Sequence, residues 1–217
     1  MVGILFLTIM FPMVLSSKWF MPTVPWIGKA DSPVDQSLIH RWADKNLDVA
    51  VFSNGDSIPE AQTTDEWVEA SRQGSPAWCY LNNNEANGVQ FGKLYNWYAV
   101  TDLRGLCPTG WRIPEDGDWS SLTDVLGGNL DAGRKMKTSS GWVQAGGGSN
   151  ESGFNGMPGG YRNFDGKFLP VDFGSWWSST GVGHDHAWVR TLVPGKNGVF
   201  RYYGNRNSGF SVRCLKR

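Results

Sequence analysis

GLCPTGWRIPEDGDW, residues 105–119, is the stretch from which the fold is read. Its centre, GWRIP, is a short strand, and Pro114 bars the residue before it from helical geometry. A helix then follows from about Glu115 to Val125, because Trp119, Leu122, Val125 and Leu126 recur at spacings of three and four. Gly127-Gly128 stops it. Glu115 stands where a Ser or Thr would complete a capping box with an acid three residues on. Glu115 and Asp118 therefore favour the helix dipole without forming the usual box.

Upstream, Gln36 to Val51 reads as a short strand and a turn, with Asn54-Gly55 supplying turn chemistry. TDEWVEASRQ reads as a helix with Thr64 as its N-cap, Asp65 and Glu66 in its first turn, and Gly74 at its end. The tract Asn82, Asn83, Asn84, Asn87-Gly88 is a loop. FGKLYNWYAV, 91–100, sets Leu94, Tyr95, Trp97 and Tyr98 over one broad helical face and should be core. Downstream of Gly127 glycines recur too often for a helix. The apolar residues come in bursts at Trp142-Val143, 164–173, Trp176-Trp177, 187–193, 199–203 and 210–215, which suggest short strands in a loop-rich sheet. Helices early and strands late give one α+β domain, and no repeat of fixed period is present.

Composition excludes several classes. The chain has 217 residues, 28 of them Gly and 12 Trp, and a disordered chain depleted in aromatics has no such count. Lys and Arg together number 20, as do Asp and Glu, so a nucleic-acid partner held by net positive charge is not expected. The balance hides polarity: residues 31–69 hold nine acids and two bases, whereas seven bases and no acid follow His186, a pattern read as solvated faces. VGILFLTIMFPMVL, residues 2–15, has the length of a signal-peptide core and is too short for a bilayer span. Residues 1–17 are therefore expected to be a signal peptide and 18–35 a linker rich in Pro and Gly, with a secreted or cell-surface location and no stable membrane span. Cys79, Cys107 and Cys214 fit neither a C-x-x-C redox site nor a zinc ligand set, and their spacing leaves any pairing open.

Seven stretches in order resemble the Fibrobacter succinogenes major paralogous domain, a bacterial extracellular module, over roughly residues 36–217. They are RWADKNL (41–47), PAWCYLNNN (76–84), GKLYNWYAV (92–100), GLCPTGWRIP (105–114), PGGYR (158–162), WWSST (176–180) and GFSVRC (209–214). The resemblance implies a C-type-lectin-like fold, similar to formylglycine-generating enzymes and phage variable proteins: a small twisted antiparallel sheet, two helices and long Gly-rich loops. On that frame FSVRCLK, alternating Phe210, Val212, Cys214 against Ser211, Arg213, is expected as a half-buried strand near GWRIP. If the protein is exported, this adjacency makes Cys107 and Cys214 the expected disulfide, with Cys79 unpaired in the core.

For chemistry, His184-Asp185-His186 puts two imidazoles on one face if extended, but no third ligand is visible and no metal or cofactor is expected. No G-x-S-x-G elbow occurs. An enzyme or metal protein on the formylglycine-generating frame is the alternative, set back because neither Cys107 nor Cys214 resembles a paired copper-binding site. Residues 181–208 interleave Gly, Asn, His and Tyr with Arg between the anchors WWSST and GFSVRC, which is recognition chemistry. The expected function is an exported, non-catalytic module binding a glycan or protein through these C-terminal loops. Similar composition marks variable proteins of diversity-generating retroelements. The expected ligand surface is Trp177, with its indole outward, His184, His186 and Arg201, joined by Tyr202 and Tyr203 on opposite faces and by Asn205 and Asn207.

Overall fold

A computed structural model describes residues 36–143, 146–169 and 172–217. The expected signal at 1–17 and linker at 18–35 lie outside the described residues. The helices are α1 (Gln36–Ile39), α2 (Thr64–Arg72), α3 (Gly88–Phe91), α4 (Trp97–Val100), α5 (Asp116–Val125) and α6 (Ala132–Met136). The strands are β1 (Trp78–Cys79), β2 (Leu94–Tyr95), β3 (Trp111–Arg112), β4 (Gly174–Val182), β5 (His186–Leu192), β6 (Val199–Asn205) and β7 (Leu215–Lys216). They form three antiparallel sheets, β1-β2, β3-β7 and β4-β5-β6, so the architecture is α+β.

The two longer helices begin as local chemistry dictates. Thr63, not Thr64, caps α2: its hydroxyl accepts from Glu66 N–H at 3.2 Å while Glu66 accepts from Thr63 N–H at 2.9 Å. The acid three residues on decides which Thr is the cap. At α5, Asp118 accepts from Glu115 N–H at 2.7 Å, which is the acid's half of a capping box on a Glu cap. The expected end of α5 holds, with Gly127 and Gly128 at φ of 104° and 90°, where a side chain would be strained.

Three expectations fail. Residues 36–39 are a helical turn, not a strand. FGKLYNWYAV is not one helical face: Gly92 turns at φ 69°, Leu94-Tyr95 pairs with Trp78-Cys79, and the Asn96 side chain caps a new turn at Ala99 N–H. Tyr95 is needed as a strand residue because its backbone also bonds Phe210 in both directions. Finally, α6 lies beyond Gly127, ended where Lys137 turns extended and its ammonium donates to the carbonyls of Gly146, Val193 and Lys196.

Strand β7 lies beside β3, with Trp111 opposite Lys216 and Arg112 opposite Leu215. One step before them Cys214 is bonded to Cys107, with α-carbons 6.0 Å apart, and Cys79 is free and buried. The half-buried alternation expected for 210–214 is absent. Ser211 and Arg213 are as buried as Phe210 and Val212, since Leu47 N–H bonds Val212 O, Ala43 N–H bonds Cys214 O, and Trp177 N–H bonds Ser211 O. The basic C-terminal stretch is likewise not simply a solvated face, because Arg190 and Arg213 are buried. Arg213 donates to Asn46 Oδ1 and to the carbonyls of Ala43 and Phe154, so its charge sits among oxygens.

Candidate functional site

The sheet β4-β5-β6 positions the C-terminal residues, and its register sorts them by face. Trp188 lies opposite Tyr203, His186 opposite Asn205, and Arg190 opposite both Arg201 on β6 and Trp176 on β4. These residues share one face. Ala187, Val189 and Thr191 share the other with Gly204, Tyr202 and Phe200.

The N-terminus of α5 closes half of the first face. Asp116 accepts from Arg190 Nη1 at 2.7 Å and Arg201 Nη2 at 2.9 Å, and its own N–H donates to Thr180 Oγ1 at 3.0 Å. Burial would raise the Asp116 carboxyl, but the hydrogen bonds from Arg201 and Arg190 outweigh it and hold the pKa below the ordinary value. Burial lowers the Arg190 pKa, with Asp116 opposing that change. Beyond Arg201 no element among the described residues seals the face.

On the uncovered half the side chains touch in a row. The Arg201 guanidinium lies 3.2 Å from the Trp188 ring centroid, a cation–π stack. Tyr203 meets Trp188 edge-on at 6.1 Å, and His186 meets Tyr203 edge-on at 5.3 Å. Tyr203 is 57% exposed and the Arg201 side chain 42%. An aromatic row of rings set edge to face, ending in a guanidinium already held by a carboxylate, offers aromatic surface and a few fixed donors. Such a surface stacks on a sugar ring or accepts a protein side chain.

Of the expected ligand residues, His186, Arg201 and Tyr203 meet in this row. Tyr202 faces the other way, its ring 6.5 Å from Phe210 and its phenol pKa raised by burial. His184 is exposed in the turn between β4 and β5. Trp177 is not outward. Trp176 and Trp177 do point to opposite faces, but both faces are covered: Trp177 is fully buried and donates Nε1–H to Tyr95 O at 2.8 Å. Asn205 and Asn207 are half-buried turn builders. Asn205 Oδ1 accepts from Asn207 N–H at 2.9 Å, and Asn207 receives Tyr98 Oη–H at 2.9 Å and, on its carbonyl, Trp67 Nε1–H at 2.8 Å.

Two members of the site escaped the sequence reading. Trp188 was legible: it stands two residues from His186 in H-A-W, hence on the same face of any strand through both. Asp116 was not, because nothing in the sequence joins it to Arg201, 85 positions away.

Thiol chemistry has little purchase. Cys107 and Cys214 are joined, and burial pushes the Cys79 thiol up to about 12, so it stays protonated. Among the described residues no three His, Cys, Asp or Glu side chains gather to hold a metal ion, and no helix is long and apolar enough to cross a membrane.

The family model described as the Fibrobacter succinogenes major domain matches residues 40–216. No curated protein and no solved structure matches.

Proposed function

The chain belongs to the Fibrobacter succinogenes major domain family, and from that premise we propose that it is an exported, non-catalytic, lectin-like recognition module. Its ligand, a glycan or a protein, binds the uncovered half of the β5–β6 face. The carrying observation is the row His186, Tyr203, Trp188 and Arg201, in which the Tyr203 ring is exposed and the other two rings only half-buried although α5 seals the same face at Arg190. Export is supported by the apolar run 2–15 and by the Cys107–Cys214 bond, which persists in oxidising compartments.

The lectin-like frame rests on the order of the sequence motifs and on the placement of a displayed hairpin over two buried clusters. Membership among variable proteins of diversity-generating retroelements is part of the same reading. A reverse-transcriptase gene beside an adenine-rich near-repeat of codons 181–214 would establish it.

The direct test is a glycan and protein array probed with the full chain and with Trp188→Ala and Tyr203→Ala. Each substitution is expected to weaken capture by about 1–2 kcal/mol with the fold intact. An array with no binder, or a binder indifferent to both substitutions, would sink the assignment.

A further inference from the structure

Among the described residues β6 pairs on one side only, with β5, and two hydrogen bonds fix which of its backbone groups face outward. Val199 N–H donates to Asn129 O at 2.9 Å, away from β5, and Arg206 N–H donates to Asp185 O at 2.8 Å, along the ladder. Successive residues of an antiparallel strand alternate between bonding inward and outward. Phe200, Tyr202 and Gly204 therefore bond β5, and Arg201 and Tyr203 turn their N–H and C=O groups away from it. Among the described residues no backbone or side-chain group outside the sheet bonds those four groups.

Open edges are ordinarily blunted by proline, bulges or projecting charge. Here VFRYYGN has no proline, its pairing with β5 runs unbroken from Val199 to Asn205, and its one charged side chain, Arg201, is held against Asp116 and the Trp188 ring. Phe200 is 47% exposed and Tyr202 37%, so apolar surface flanks the free groups.

We infer that β6 pairs with β6 of a second copy of this chain, antiparallel about a twofold axis at Tyr202, making one six-stranded sheet. The strand is self-complementary in one register. With Arg201 opposite the second copy's Tyr203, all four free groups of each copy bond one another. A shift that opposes Arg201 to itself sets like charges together, and it points Tyr203 at Val199, whose N–H Asn129 already occupies. In the inferred register Arg201 meets a tyrosine ring, Tyr202 meets Tyr202, and Phe200 comes beside Gly204, over which the Phe210 ring of the same copy is packed. The Asn129 contact ends the pairing at Val199. This inference stands apart from the recognition reading, because its hydrogen bonds are made by the strand's backbone edge, and the outer faces of the two copies then lie side by side.

Sedimentation of the full chain across a dilution series tests it. The expected result is a reversible species of twice 24.0 kDa. Tyr203→Pro removes one outward N–H that makes no bond to β5, so the fold should persist while dimerisation weakens by roughly tenfold or more. Tyr202→Cys supplies a second reading if the proline disturbs folding. Residue 202 would face itself in a non-hydrogen-bonded pair with α-carbons about 4.5 Å apart, so mild oxidation should give a covalent dimer, and Arg201→Cys should not. A wild-type chain that stays monomeric throughout would overturn the inference. So would a dimer indifferent to Tyr203→Pro, or one that Tyr202→Cys fails to cross-link.

Discussion

β4 and β6 are the outer strands of one sheet, and each carries an aromatic doublet, Trp176-Trp177 and Tyr202-Tyr203. In both, alternation sends one ring to each face. Beyond that the two strands part. Trp176 packs among Trp42, Trp119 and Phe154, Trp177 packs edge-on against Phe210 at 4.6 Å, and neither has accessible surface. Tyr203 is mostly in solvent and Tyr202 partly so. The local pattern sets which way a side chain points, and elements remote in sequence set whether anything meets it. On the β4 side those elements are α5, the 210–214 segment and Tyr95. On the β6 side, α5 reaches only as far as Arg201.

The largest expected effect sharpens this contrast. Trp177→Ala removes a fully buried indole and leaves Tyr95 O without its partner, so unfolding stability should drop by about 3–5 kcal/mol in a denaturant titration. A loss no greater than that of Tyr203→Ala would mean that the two strands are equivalent after all.

The same contrast explains how much the sequence told. The helix at 116–125 and the strands at 174–182, 186–192 and 199–205 are legible because each depends on spacing and turn residues close by, whereas the described residues of 142–143 and 164–173 form no strand and the adjacency of GWRIP to the C-terminus comes from the family resemblance. The tyrosine of FGKLYNWYAV went wrong because its helical spacing is local while its partners, Trp78 and Phe210, are not. Trp177 went wrong for the same reason: its direction was predictable, its cover was not. Composition alone offers Asn205 and Asn207 as ligand donors, and the turn they build uses that hydrogen-bonding capacity.

A middle-sized effect is expected where the sealed and open halves meet. Asp116 joins α5 to both Arg190 and Arg201, so Asp116→Asn should cost about 1.5–3 kcal/mol by weakening charged hydrogen bonds and leaving Arg190 buried without its counter-ion. The folded-state pKa of Asp116 lies below its ordinary value of 3.8. Its contribution is therefore full above that value and lost as pH falls from there through the folded-state pKa. The stability difference between wild type and Asp116→Asn should shrink in that acid window and be constant at neutral pH. A difference that grows on acidification would break the assignment of Asp116 as the ionised hinge of the two halves.

The smallest effects separate the two tyrosines of one doublet. Tyr202 and Tyr203 are adjacent and chemically identical, so a difference between them can come only from what each face offers. Tyr202 lies over the core side, near Phe210 and facing the Thr191 and Ser175 hydroxyls, and truncating it to Ala should cost about 1–2 kcal/mol in apolar burial and polar contact. Tyr203 touches Trp188 and His186 at their edges but is otherwise in water, so Tyr203→Ala should change stability by no more than about 0.5 kcal/mol. Melting curves recorded under conditions where the chain is monomeric keep any β6 self-pairing out of the comparison. If both substitutions then cost the same, Tyr203 has a structural partner that its exposure conceals, and the displayed row loses its most exposed ring. If only Tyr202→Ala is costly, Tyr203 is free to serve a ligand without loss to the fold.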